Sequence, residues 1–326
     1  MSLDADHIVD RRRMRRKLTF WRVLGVLLAI IAIGAIAAAL APRGLPTPGG
    51  ARIARITITG LIRGDHERVE ALDRLAKARD ARAVIVHLDS PGGTTAGSEE
   101  LLDALRRLSE RKPTVAVVDG MAASGAYIAA MGSDHIIARD TSLVGSIGVL
   151  FQYPNVADLL NKIGVQVETV RSSPLKAAPN GLEPTSPEAR AALQSIIMDS
   201  YAWFRGLVQD RRKLNGEALD RVADGRVFTG RQAIGLKLID QIGDEQTAID
   251  WLAKEKGIDP KLPVRDWKLT PRFSDLSFLH MGVAALLDAA GFGALARRIE
   301  DAGSFQALER LNLDGLLALW HPPGAN

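Results

Sequence analysis

The chain has 326 residues, 47% hydrophobic, 25% charged and 5% aromatic, a composition of globular rather than disordered or fibrous proteins, with room for one large α/β unit plus appendages or two small domains. It has no cysteine, which excludes thiol nucleophiles, disulfides and cysteine-ligated metals. The net charge of +4 does not point to nucleic acid: seven of the 42 basic residues and three of the 38 acidic ones lie in residues 1–22, and the remainder balances.

Residues 1–22 form a basic tail with Arg11, Arg12, Arg13, Arg15, Arg16, Lys17 and Arg22. Residues 23–41 are uncharged, small and aliphatic; as a helix they would span about 28 Å, close to the hydrocarbon thickness of a bilayer. A transmembrane helix is expected there, with the basic flank holding the N-terminus in the cytoplasm and everything from Pro42 onward outside. The rival is a cleavable signal peptide, since Ala37, Ala38, Ala39 and Ala41 supply small residues of the kind found at cleavage sites. Residues 42–51, rich in Pro and Gly, read as a linker.

A folded body is expected over 52–270. Residues 52–59 alternate as a strand does, and 67–79 place Val69, Leu72, Leu75 and Ala76 at helical spacing. Residues 83–88 read as a strand ending in a turn at Asp89-Ser90-Pro91-Gly92-Gly93, followed by a helix over 99–110 and a strand over 114–118. This alternation predicts a largely parallel sheet with covering helices. A short apolar helix is expected at 126–131, strands at 135–138 and 165–170, and a helix at 156–163 between those strands. Ser186-Pro187-Glu188 has an N-cap followed by proline, and opens a long helix to about residue 213. Thr229-Gly230-Arg231-Gln232 fits a capping box, and Trp251 falls in a helix over 245–256. Residues 271–326 are amphipathic and leucine-rich, and read as a helical C-terminal extension.

Ser124, in Ala122-Ala123-Ser124-Gly125-Ala126-Tyr127, follows a predicted strand and precedes a helix. A hydroxyl there suits a nucleophile with the Gly125 N–H beside a developing oxyanion, and it equally suits an ordinary N-cap. The paired glycines of the Ser90-Pro91-Gly92-Gly93 turn allow close backbone approach, which makes Gly93 a second oxyanion donor. A serine nucleophile also needs a base. His87, two residues before that turn, is one candidate. Lys176, in a loop of small and apolar neighbours, is the other, because burial would lower a lysine toward neutrality.

These segments, with Thr141-Ser142-Leu143-Val144-Gly145-Ser146-Ile147-Gly148-Val149 and Ala223-Asp224-Gly225-Arg226-Val227-Phe228-Thr229-Gly230, resemble the bacterial signal peptide peptidases of the Ser/Lys family S49, also called protease IV, in the short single-domain form. The resemblance covers roughly residues 52–256. It implies Ser124 as nucleophile, Lys176 as general base, Ser146 as the hydroxyl that orients the lysine, and Gly93 and Gly125 as the oxyanion hole. Gly92 and Tyr127 are expected to touch substrate. The implied fold is of the Clp protease and crotonase type, stacked ββα units assembled as a ring- or dome-shaped homo-oligomer, with one subunit contributing both Ser and Lys or neighbours sharing them. Neither metal nor cofactor is expected. The implied substrates are cleaved signal peptides and other unfolded or membrane-derived segments, met at the outer face of the bacterial cytoplasmic membrane. One departure is Ala126, where many members carry a second glycine. An acyl-CoA enzyme of the same fold and a non-catalytic membrane scaffold are the competing readings.

Overall fold

A computed structural model describes residues 21–22, 24–25 and 50–269, together with the backbone of 317–319. Apart from Leu24 and Gly25, which are helical, the expected membrane helix lies outside the described residues, as do the signal-peptide rival's cleavage region and residues 271–316 of the C-terminal extension. Among the described residues no helix is long and apolar enough to cross a membrane. The chain divides after Gly49, and the unit from Gly50 carries the sheet.

That unit opens with β1 (Arg52–Ile62), α1 (His66–Lys77), β2 (Ala81–Thr94), α2 (Thr95–Ser109), β3 (Thr114–Ala123), α3 (Gly125–Ala130), β4 (His135–Ala138) and β5 (Leu143–Gly145). It continues with α4 (Ala157–Lys162), α5 (Pro187–Arg212), α6 (Glu217–Val222), β6 (Val227–Thr229), α7 (Gly230–Gly235), β7 (Gln241–Ile242), α8 (Glu245–Lys256), β8 (Val264–Asp266) and β9 (Leu317–Leu319). The strand order is β6-β5-β3-β2-β1-β8, with β4 bridging β3 and β7, and β9 lying against β2. Pairing is parallel except for β5 with β6 and β2 with β9. The fold is therefore mixed α/β with a mostly parallel sheet.

Successive residues of the central strands are buried on both faces, as parallel sheets covered on two sides require. Val84, Val86, Leu88, Ala116 and Val118 pack with Leu72 and Leu75 of α1, Leu101 and Leu105 of α2, and α3. Their neighbours Ala83, Ile85, Val115 and Val117 pack with Ala248 and Leu252 of α8. Short-range chemistry sets the helix ends. Ser186 accepts the Ala189 N–H at 3.1 Å ahead of Pro187, and Thr229 with Gln232 completes a capping box at α7. Each such cap contributes about 1 kcal/mol.

Two local expectations change. The Ser90-Pro91-Gly92-Gly93 segment is not a turn after a strand but part of β2, because Leu61 and Ile62 pair with Gly92 and Gly93 beyond an irregularity at Thr59. Residues 165–170 form no strand; they are exposed, and among the described residues no strand pairs with them.

β3 positions the site by dividing between two neighbours. Its residues 115–118 pair with β4, whereas 121–123 pair with β5. The strand therefore delivers Ser124 at the point where the sheet branches.

Candidate active site

Ser124 follows Ala123, whose partner on β5 is Gly145. Both chains then leave the sheet with left-handed backbones, φ 53° at Ser124 and φ 51° at Ser146. Non-glycine residues are held in such conformations only by their surroundings, at a cost of about 1–3 kcal/mol each. Here the restraint comes from the next strand out. The Ser124 N–H donates to the Gly145 carbonyl at 2.8 Å, and the Ser146 N–H donates to the Arg226 carbonyl at 2.8 Å. Gly145, at φ 100°, has a backbone that side chains rarely adopt, and a Cβ there would press on the Phe228 ring at 3.1 Å.

The two readings of Ser124 now separate. It occupies the N-cap position of α3, but its side chain makes no capping bond. Its hydroxyl is buried and has no hydrogen-bond partner. A buried polar atom without a partner costs about 1–3 kcal/mol, so its retention calls for an explanation such as catalysis.

Two glycines stand at matching positions on neighbouring segments. Ser90 on β2 pairs with Ala122 on β3, and three residues beyond each stand Gly93 and Gly125. Gly125 is the first residue of α3, where a backbone N–H has no intrahelical acceptor. Gly93 is packed so closely on β1 that a Cβ would fall 1.7 Å from the Ile62 carbonyl oxygen. Gly92 has φ 104°, and its N–H donates to Ser90 Oγ at 3.1 Å. The same Ser90 hydroxyl donates to the Gly60 carbonyl at 2.6 Å. Ser90 thus braces the glycine pair against β1, a role that sequence reading passed over; its position immediately before Pro-Gly-Gly was the available signal.

Of the two candidate bases, neither touches Ser124. Both ring nitrogens of His87 are engaged on the α8 side of the sheet, Nδ1 with Asp119 at 2.7 Å and Nε2 with Glu245 at 2.8 Å. Glu245 also accepts two bonds of 2.6 Å from Arg55. The Arg55 guanidinium, and then His87, holds the Glu245 carboxyl below the usual carboxylate range. His87 is therefore part of a structural ion cluster. Lys176 lies in an exposed turn, its backbone N–H donating to Ser173 at 3.1 Å. The loop that carries it is closed by Arg171, which pairs with Glu183 at 2.6 Å.

Tyr127, expected at the substrate surface, is placed in the core. Its ring is fully buried and its hydroxyl donates to the Leu238 carbonyl at 2.7 Å, so it anchors α3 to the core. Among the described residues no group of acidic and histidine side chains could hold a metal ion.

The sequence pattern of Peptidase family S49 matches residues 106–259, the stretch that contains Ser124, Ser146 and Lys176. A predicted protease of Synechocystis sp. is 39% identical over 210 residues, covering 64% of this chain and 76% of that protein. The chloroplastic serine protease SPPA of Arabidopsis thaliana is 32% identical over 217 residues, 66% of this chain and 30% of that protein. Protease 4 of Salmonella typhi is 34% identical over 214 residues, 63% of this chain and 34% of that protein. Among solved structures, a mutant of the 1510-N membrane-bound stomatin-specific protease aligns over 68% of this chain and 99% of its own, with a TM-score of 0.45 and 15% identity.

Proposed function

The chain belongs to peptidase family S49, and on that premise we propose that it is a membrane-anchored serine endopeptidase with Ser124 as nucleophile and Lys176 as general base. The observation that carries this reading is the buried, unpartnered Ser124 hydroxyl on a residue held at positive φ. Ser124 Oγ adds to the scissile carbonyl carbon while the neutral Lys176 amine takes its proton. The oxyanion that forms accepts from the Gly93 and Gly125 N–H groups. Collapse of the adduct expels the amine product, which takes the proton back from Lys176. Water, deprotonated by the same amine, then hydrolyses the acyl-enzyme. Ser146, which follows β5 as Ser124 follows β3, would orient the lysine.

Lys176 is exposed and Ser124 has no partner, which favours a dyad completed between subunits of a homo-oligomer. The same stretch exposes Leu159, Ile163, Val165, Val167, Val170 and Leu175, apolar surface suited to burial between copies. A ring or dome of the Clp protease and crotonase type would meet this need. The substrates are cleaved signal peptides and other unfolded or membrane-derived peptides, bound as an added strand along the Gly92–Gly93 edge. Residues 23–41 would hold the enzyme in the bacterial cytoplasmic membrane with the peptidase domain outside; intact N-terminal residues in the mature protein, found by mass spectrometry, test retention of that anchor.

The catalytic test is peptide hydrolysis by wild type, Ser124→Ala, Lys176→Ala and an exchanged mixture of the two variants. Each variant alone should be inactive. A mixture with random neighbours should recover about a quarter of the activity, the share of sites that receive both an intact serine and a neighbour's intact lysine. Full activity in either variant overturns the assignment, and an inactive mixture of exchanged subunits overturns sharing of the dyad.

A further inference from the structure

β9 lies on the strand edge where the peptide substrate is read to bind. β2 has two sides near its C-terminal end. One is taken by β1, through the pairs Leu61 with Gly92 and Ile62 with Gly93. The other faces β3 only as far as Ser90, because β3 ends at Ala123 and the chain turns through Ser124 into α3. Beyond Ser90 this second side is open to an added strand. β9 fills it, with Leu319, Ala318 and Leu317 running antiparallel against Gly92, Gly93 and Thr94. It also approaches α2 and α3, the latter being the helix that starts next to Ser124. A strand in this place lies between the Gly93 backbone and the turn that carries the serine.

We infer that the segment around Leu317–Leu319 is a tethered occupant of the substrate groove, an intramolecular competitor that peptide substrates must displace. Its effect on catalysis rests on the peptidase reading of Ser124; the occupancy itself rests on strand pairing alone. Three paired residues form a short ladder and hold weakly. Tethering compensates, since an occupant on the same chain competes at an effective concentration that dilution does not lower. The block is therefore partial and reversible: it raises the apparent KM and leaves kcat unchanged, the signature of competition before the chemical step.

The test uses the full chain with Ala318→Pro, which removes the N–H opposite Gly93 and disfavours a strand at that point. KM for a peptide substrate should fall about fivefold or more at constant kcat, the pattern of a lost competitor. In the Ser124→Ala background, a fluorescent peptide copying residues 313–321 should bind more tightly by a similar factor when Ala318→Pro is added. A second variant exploits the absence of native cysteine. Thr94→Cys with Leu317→Cys replaces directly opposed residues, whose Cα spacing in an antiparallel pair suits a disulfide. Oxidation should abolish peptide binding and hydrolysis, and reductant should restore both. Unchanged KM and unchanged peptide affinity with Ala318→Pro overturn the inference, as does a formed cross-link that leaves peptide binding intact. Altered peptide affinity in a protein that hydrolyses nothing supports the tethered occupant while removing the peptidase reading.

Discussion

Replacing Ser90 with alanine separates bracing of the proposed oxyanion glycines from simple packing. Ser90 is fully buried, and its hydroxyl makes two bonds, accepting from the Gly92 N–H and donating to the Gly60 carbonyl. The two partners fare differently when the hydroxyl is lost. Gly60 is exposed, so water takes over at its carbonyl at little cost, whereas Gly92 is buried and its N–H is left without an acceptor. The second loss dominates, and with a buried orphan donor costing about 1–3 kcal/mol the variant should be destabilised by about 2 kcal/mol. For a urea slope of roughly 2–3 kcal/mol per molar this moves the unfolding midpoint down by about 0.7–1 M. Catalysis should suffer separately, because Gly92 sets the direction in which the Gly93 N–H points. Losing an oxyanion donor outright costs about 100- to 1,000-fold in kcat, and misaiming one should cost about 10- to 100-fold. Urea unfolding and steady-state peptide hydrolysis, both measured well below the midpoint, check the two effects. A midpoint shift with unchanged kcat would refute the claim that Ser90 positions the oxyanion hole.

Tyr127→Phe removes the bond to the Leu238 carbonyl inside the core, so stability should fall by about 1–2 kcal/mol with KM unchanged; a raised KM would restore Tyr127 to the substrate surface. Gly145→Ala places a Cβ against Phe228 at a left-handed φ, and should cost about 1–3 kcal/mol while lowering kcat, since Ser124 and Ser146 both hang from this point. Glu245 has a folded carboxyl held below its unfolded value by Arg55. Its contribution to stability is therefore complete above about pH 4.3, the ordinary glutamate value, and is lost as pH falls through the depressed folded one. Urea midpoints measured against pH should fall less steeply on the acid side in Glu245→Gln than in wild type.

What was legible in the sequence depended on how local the determinant is. α8 runs over 245–256 as expected, and the Ser186-Pro187 and Thr229–Gln232 starts are found where their side chains announced them, because a cap is satisfied within three or four residues. The parallel sheet followed from alternation of element types. The continuation of β2 through Pro91 and both glycines was not legible, since it depends on an irregularity in β1 that lets Leu61 and Ile62 keep pairing. Residues 165–170 show the reverse, β-branched residues with which no strand pairs among the described residues. At the site, sequence left Ser124 balanced between cap and nucleophile; its backbone angle and unpartnered hydroxyl decide against the cap. The proposal of Lys176 as base rests on resemblance, because the lysine lies in an exposed turn and Ser124 Oγ has no hydrogen-bond partner.

The strained serines also have an order of support. Ser124 is held by a carbonyl of β5, and Ser146 by a carbonyl at the entry to β6. β6 has three residues and ends the strand order on that side. Sheet margins fray before centres do, and local openings need far less energy than global unfolding. Warming would therefore release the outermost rung first, then Ser146, then Ser124, while the core between α1, α2 and β2 stays folded. Thermal inactivation in such a molecule should run ahead of melting and reverse on cooling.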